Sequence, residues 1–152
     1  MPTVSDEIEY GLFVLPSAFV ALSVSSSAPT WRMQFLGNRQ GMASFASVCL
    51  WLGVNAYRRE FLSLTALPFI KTVSDVAVMV RVSAAEGTGR FGLVRRLDSA
   101  SEVEWELSEE ELQRLALRLH YLASVPEHEY ELLDVGPAAQ IEIRLSDARA
   151  YV

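Results

Sequence analysis

The chain has 152 residues, of which 51% are hydrophobic, so it is long enough to bury a core and is predicted to form one domain over residues 1–152. Its net charge is −6 and it has no basic run, which argues against nucleic-acid binding, because Lys and Arg supply most of that affinity. An acidic chain suits a basic protein partner. Cys49 is the single cysteine, so no internal disulfide forms and a reducing, cytoplasmic location is expected.

Two apolar stretches have some of the features of a membrane or export segment. Gly11–Val24 is mostly apolar, but acidic residues precede it and Pro16 divides it, whereas a signal peptide has a positive leader. Met42–Leu52 is too short to cross a bilayer. The sequence therefore predicts no membrane association.

The first half of the chain is predicted to hold one very apolar helix between extended segments. The helix spans Met42–Leu52, Asn38 is its predicted N-cap, and Gly41 weakens its first turn. A helix that is apolar on nearly every side must be covered by other elements. The extended segments of this half are Leu12–Leu15, Ala18–Ser25, Trp31–Leu36 and Tyr57–Leu64.

The second half begins with a strong alternating pattern over Val76–Val82, which predicts a strand. A glycine-containing turn follows it, and Phe91–Leu97 is predicted to return as the second strand of a β-hairpin. In the next strand, Glu102–Leu107, every second residue is apolar, so one face is core and the other faces solvent or a partner.

The strongest local signal is a capping box at the start of the second helix. Ser108 and Glu111 have the spacing at which each side chain accepts a hydrogen bond from the other residue's amide. The helix is predicted to run to about Ser124, before Pro126. Extended segments are predicted after it, at Tyr130–Leu133 and Gln140–Leu145.

These elements predict an α+β fold, a mostly antiparallel twisted sheet with two helices packed on one face. The two helices also share a spacing of apolar residues, which suggests an internal β-α-β duplication. The alternative is that any two amphipathic helices beside strands align this well. The matching apolar positions are Met42, Phe45, Ala46, Cys49 and Leu52 in the first helix and Leu112, Leu115, Ala116, Leu119 and Leu122 in the second.

Several residue patterns have part of the signature of a catalytic or ligand site. The GxGxxG pattern over residues 87–92 has no lysine in a following strand and is interpreted as a glycine turn. His120 and His128 fit no standard metal-ligand spacing, and Cys49 lies among apolar residues, as a buried structural thiol does. The sequence therefore predicts no catalytic residue, metal or cofactor.

The acidic residues between positions 102 and 111 are the candidate partner-binding site. They combine alternate residues of one strand with the start of the following helix, where carboxylates are also favoured by the helix dipole. Such a cluster is either a solvated face that maintains solubility or a docking surface for a basic protein. The predicted partner-binding residues are Glu102, Glu104, Glu106, Glu109 and Glu110.

A small acidic α+β chain with a strand, a capped helix and the run Pro126–Tyr130 resembles the immunity proteins of bacterial polymorphic toxin systems. The resemblance implies a non-catalytic protein that binds and neutralises one cognate toxin. A second class is a small-molecule-binding or enzymatic domain, with Trp31, Trp51 and Trp105 as pocket walls. A third is a homodimer paired through exposed strand edges.

Overall fold

The computed structural model describes residues 17–27, 30–55, 61–73, 76–83, 91–96, 102–125, 130–133 and 139–145. These residues form two α-helices, α1 (Arg39–Val54) and α2 (Glu109–Ser124), together with nine strands and one 3-10 turn at Leu64–Ala66. The strands are β1 (Val20–Ser27), β2 (Thr30–Gly37), β3 (Phe61–Ser63), β4 (Ile70–Thr72), β5 (Ala77–Ser83), β6 (Leu93–Arg96), β7 (Glu102–Ser108), β8 (Tyr130–Leu133) and β9 (Ala139–Leu145). The predicted strand over Leu12–Leu15 lies outside the described residues.

The α+β class and the two helices are confirmed, but the strands lie in two sheets and not in one. The five-stranded sheet has the order β4-β1-β2-β9-β8, and the four-stranded sheet has the order β3-β5-β7-β6. Both are mixed, with four antiparallel and three parallel strand pairs in total, so antiparallel pairing predominates as predicted.

The predicted hairpin of β5 and β6 is wrong, because β7 lies between them. β5 runs parallel to β7, with Val78 opposite Val103 and Val80 opposite Trp105, and β6 pairs antiparallel with the other side of β7. Residue alternation shows which face of a strand is buried but not which strand is its neighbour. β5 and β7 lie side by side, and the short β6 forms the edge of the sheet.

Both predicted N-caps are confirmed, although the first helix begins at Arg39 and not at Met42. The side chain of Asn38 accepts a hydrogen bond from the Gly41 amide at 2.8 Å. At α2, the Glu111 amide donates to Ser108 Oγ at 3.1 Å, and the Ser108 amide donates to Glu111 Oε1 at 3.0 Å. Strand β4 was missed, since the segment that contains it carries Pro68 and was interpreted as a connection.

One buried core contains residues from both helices and from the inner faces of both sheets. The ring of Phe35 on β2 lies 5.3 Å from that of Phe45 on α1 and 6.0 Å from that of Trp105 on β7. All ten apolar positions that the two helices were predicted to share are buried. The apolar faces of both helices are therefore part of the same buried core as the inner faces of the strands.

The two helices pack against each other in opposite directions. Arg39, at the start of α1, donates hydrogen bonds to the carbonyls of Leu122 and Val125 at the end of α2. At the other end of the pair, Gly53 lies beside Glu109, the first residue of α2. A cation at a helix C-terminus is favourable, so Arg39 stabilises the end of α2 as well as joining the two helices.

The two halves of the chain, β1–β5 and β6–β9, have corresponding topologies. Strands β1, β2, β3 and β5 of the first half correspond to β6, β7, β8 and β9 of the second, in that order. When each strand of the four-stranded sheet, β3-β5-β7-β6, is replaced by its counterpart, the order becomes β8-β9-β2-β1. This is the order of the five-stranded sheet without β4. The parallel or antiparallel sense of every pair is preserved. Both helices have 16 residues and begin 70 positions apart. Ancestral duplication itself stays a prediction.

Neither helix in the described residues combines the length and the apolar character needed to cross a membrane.

Candidate functional site

The acidic strip, which we define as Glu102, Glu106, Glu109 and Glu110, follows β7 into the first turn of α2. Ser108 is both the last residue of β7 and the N-cap of α2, so no loop separates the strand from the helix. Glu102 and Glu106 alternate with the buried Val103, Trp105 and Leu107, so they belong to the outer face of the four-stranded sheet. The strip is therefore carried on two rigid elements.

The structure separates the five predicted partner-binding residues into accessible and buried groups. Glu102, Glu109 and Glu110 are exposed, and Glu106 is half-buried. Glu104 differs from the expectation of a solvent-facing carboxylate, because only 5% of the residue is exposed. Its Oε1 lies 3.8 Å from Arg81 Nη1 on the neighbouring strand. A carboxylate buried in this way has little surface to offer an outside partner, so Glu104 is not included in the strip.

The three glutamates that open α2 have different environments. Glu109 and Glu110 face solvent, and Glu110 forms an i,i+4 ion pair with Arg114 at 3.1 Å. Glu111 is buried, and its second carboxylate oxygen accepts a hydrogen bond from the Gly92 amide at 2.7 Å. Glu111 is therefore a structural residue that joins α2 to the strand before β7, while its two neighbours are available for binding.

A shallow groove of about 220 Å³ lies between the start of α1 and the end of α2. His120 Nε2 lies 3.4 Å from Ser124 Oγ in this groove, which is too long for a strong hydrogen bond. The Arg39 guanidinium already donates to two helix-end carbonyls. Ser124 and His120 are close to each other but are not joined by a strong hydrogen bond. Its lining residues are Arg39, Gln40, Ala43, His120, Ala123 and Ser124.

The tryptophans predicted as pocket walls belong to the core where the structure describes them. Trp105 is fully buried, and its indole N–H donates to the Phe91 carbonyl at 2.9 Å. Trp51 is partly buried and packs against the core. The side chain of Trp31 lies outside the described part of the structure. Trp105 is thus a packing residue with its one polar atom satisfied.

The remaining candidates for chemistry have structural explanations or fall outside the described residues. Cys49 is buried, and burial raises the pKa of its thiol far above the ordinary range, so it is not a nucleophile at neutral pH. Gly92 has a φ of 82°, and a Cβ there would collide with the Glu106 carbonyl, which explains a glycine at this position. His128 and the turn over residues 87–89 lie outside the described residues. Across the described ranges, His, Cys, Asp and Glu form no group of three suited to a metal ion.

Sequence reasoning missed a polar cluster on the outer face of the five-stranded sheet. Glu142 on β9 is only 3% exposed and accepts hydrogen bonds from Arg32 at 3.0 Å, Gln34 at 3.1 Å and Arg144 at 3.1 Å. Burial alone raises the pKa of Glu142, but the hydrogen bonds from Arg32, Arg144 and Gln34 outweigh it, so the pKa lies below its ordinary value.

The signal for this cluster was present but incomplete. The alternation over Gln140–Leu145 placed Glu142 on the outward face of its strand. Its partners Arg32 and Gln34 lie more than 100 positions earlier, and only the parallel pairing of β2 with β9 brings them together.

No protein-family model and no curated protein matches this chain.

Proposed function

We propose that the chain is a non-catalytic binding protein of the immunity type, which neutralises a bacterial toxin by docking the acidic strip on a basic surface of that toxin. The observation that carries the proposal is the exposure of Glu102, Glu109 and Glu110 along a continuous strand–helix junction. Opposite charges across an interface accelerate association and exclude wrong partners.

The local structure supports a binding role because the strip needs little ordering when a partner arrives. The junction is fixed by the reciprocal hydrogen bonds of Ser108 and Glu111, both of which are buried. A surface on elements that are already ordered loses less conformational entropy on binding than a surface on a mobile loop. The dipole of α2 also favours ionised Glu109 and Glu110 at its N-terminus.

The experiment starts from the product of the neighbouring gene, expressed in bacteria with and without this chain. We expect that product alone to stop growth and co-expression to restore it. The variant Glu102→Gln/Glu109→Gln/Glu110→Gln should fold, lower the affinity by about threefold to 150-fold, and weaken the rescue, because each exposed interfacial charge contributes about 0.2–1 kcal/mol.

A matched control changes the net charge by the same amount at other exposed positions. Gln40→Lys/Thr65→Lys/Ala66→Lys makes the net charge more positive by three, as the strip variant does, and should retain the rescue. Equal loss in both variants would mean that only the total charge matters. A neighbouring product that is harmless, or a rescue that survives neutralisation of the strip, would contradict the proposal.

A further inference from the structure

The outer face of the five-stranded sheet is a second surface, and the strand registers define its layout. Its outward-facing side chains form three parallel rows that run across the strands, and the first row crosses all five strands. The first row is Lys71, Ala21, Leu36, Arg144 and Tyr130; the second is Ser23, Gln34, Glu142 and Leu132; the third is Ser25, Arg32 and Gln140. With strands about 4.8 Å apart, the first row spans about 19 Å.

This face is cationic although the chain as a whole is acidic. Among its described residues, Lys71, Arg32 and Arg144 are cationic and Glu142 is the one carboxylate, so these residues sum to +2 on a chain whose total is −6. The side chains of Arg32 and Arg144 are 58% and 53% exposed, and Lys71 is exposed. An acidic ligand is therefore repelled by the chain overall and attracted at this face.

The buried Glu142 positions the two guanidinium groups. The Nη2 of Arg32 donates a hydrogen bond to one oxygen of Glu142, and the Nε of Arg144 donates one to the other oxygen. Both arginines are therefore held beside one carboxylate. A guanidinium has five N–H donors, and each of these arginines uses few of them on Glu142. Arg144 also lies 4.9 Å above the ring of Tyr130. Both arginine side chains are more than half exposed while Glu142 holds them, so donors that Glu142 does not use are accessible to a carboxylate from outside.

The shape of the face suits an extended segment. The outward residues of β1, Ala21, Ser23 and Ser25, are all small, so the sheet surface is low along this strand. Lys71 borders it on one side and the longer side chains of β2 border it on the other. Tyr130 and Leu132, which are 37% and 47% exposed, add apolar surface on β8.

From these observations we propose that the outer face of the five-stranded sheet docks an extended acidic segment of a partner protein, with Arg32 and Arg144 as the carboxylate-binding anchors. This surface is separate from the acidic strip, which belongs to the other sheet, and the proposal does not depend on toxin binding. The chain would then bind an acidic segment on one face and a basic partner on another.

The test measures the binding of a fluorescein-labelled octaglutamate peptide by fluorescence anisotropy. Binding is measured in about 50 mM and about 300 mM salt, because salt screens the interactions between exposed charges, over about 10 Å at 0.1 M. We expect saturable binding that weakens at least tenfold at the higher salt. Arg32→Ala/Arg144→Ala should abolish it, but this variant leaves Glu142 buried without its cations. A second variant, Arg32→Gln/Glu142→Gln/Arg144→Gln, removes the whole charged cluster and should also lose binding while still unfolding in one cooperative thermal transition.

Arg114→Gln/Arg118→Gln removes two arginines from α2 and is the matched control, which should bind the peptide as well as the wild type. The proposal is overturned if the peptide fails to bind at the lower salt, or if the control loses affinity as far as the cluster variant does. It is also overturned if a single-stranded oligonucleotide of equal charge binds more than tenfold tighter, since the face would then recognise phosphate.

Discussion

The starts of α1 and α2 occupy equivalent places in the two halves of the chain, but each is joined to its neighbouring strand by different chemistry. At α1, Asn38 Oδ1 accepts from the amides of Phe19 and Gly41, and its Nδ2 donates to the Ser17 carbonyl at 2.6 Å. At α2, Ser108 supplies the cap, and Glu111 provides the bond to the residue before β6.

The residue at the third helical position shows why the contacts between helix and strand differ in the two halves. In α1 it is Gly41, and a Cβ there would collide with the Phe19 carbonyl and come within 2.8 Å of Val20 Cγ2. In α2 it is Glu111, whose carboxylate reaches Gly92. Where the strand backbone approaches the helix closely, only glycine fits; where it lies farther away, a long side chain spans the gap. The same topology therefore accepts opposite residue choices, which hides the correspondence from a sequence comparison.

The largest effect is expected where the halves meet, at the equivalent positions of Phe35 and Trp105. Replacing either with alanine should lower the free energy of unfolding by about 3–5 kcal/mol, because each is fully buried. The double variant should show a coupling of about 0.5–1.5 kcal/mol, given ring centroids 6.0 Å apart. Chemical denaturation measures all three, and strict additivity would mean that the two rings are energetically independent.

Removing the side-chain hydrogen bonds that join each helix to its neighbouring strand compares the halves directly. Asn38→Ala and Glu111→Ala each leave two amides without their acceptor, so each should lower the free energy of unfolding by about 2–4 kcal/mol. Glu110→Ala, at an exposed neighbouring position, is the control and should change it by less than about 0.5 kcal/mol. If Glu111→Ala behaves like Glu110→Ala in denaturant titrations, the contact with Gly92 has no stabilising role.

Two glycines of α1 should respond to alanine in opposite directions. Gly41→Ala should destabilise by about 1–3 kcal/mol, because its Cβ meets backbone that cannot move freely. Gly53→Ala should stabilise by up to about 1 kcal/mol, because its Cβ would lie 3.7 Å from Leu112 Cβ and alanine is the better helix former. The equivalent of Gly53 in α2 is already Ala123. Melting temperatures that shift in the same direction for both variants would contradict this difference.

The cap of α2 has a smaller expected effect. Ser108→Ala removes the acceptor of the Glu111 amide and should lower the free energy of unfolding by about 1 kcal/mol. Ser124→Ala, at the exposed end of the same helix, should leave it nearly unchanged. An unchanged melting curve for Ser108→Ala would show that the box is maintained by Glu111 alone.

The smallest effect concerns Glu142, on the outer face of the five-stranded sheet. Its pKa is lowered in the folded state, so its contribution to stability is present above the ordinary glutamate value of 4.5 and is lost as the pH falls through the folded pKa. Glu142→Gln removes that dependence, so its stability should fall less than that of the wild type on acidification below 4.5. Parallel pH profiles from denaturant titration would show that the arginine contacts do not favour the ionised form.

The local features of the fold were predictable and the long-range ones were not. Asn38, Ser108 and Glu111 carry their capping signals within four residues, and the buried helix faces follow from apolar spacing. The pairing of β5 with β7, and of β2 with β9, joins segments whose alternation would fit several neighbours. Glu104 was expected at the surface for the same reason, since its burial depends on what lies beside and above β7.

Each sheet contains strands from both halves of the chain, and this has a consequence for biosynthesis. β2 is complete at Gly37, but its partner on one side, β9, begins only at Ala139. The five-stranded sheet therefore cannot close while the ribosome is still translating the intervening hundred or so codons, and β2 presents unpaired backbone groups throughout that interval. Contacts this distant along the chain also slow folding, so the edge of β2 is open to incorrect pairing until β9 has emerged.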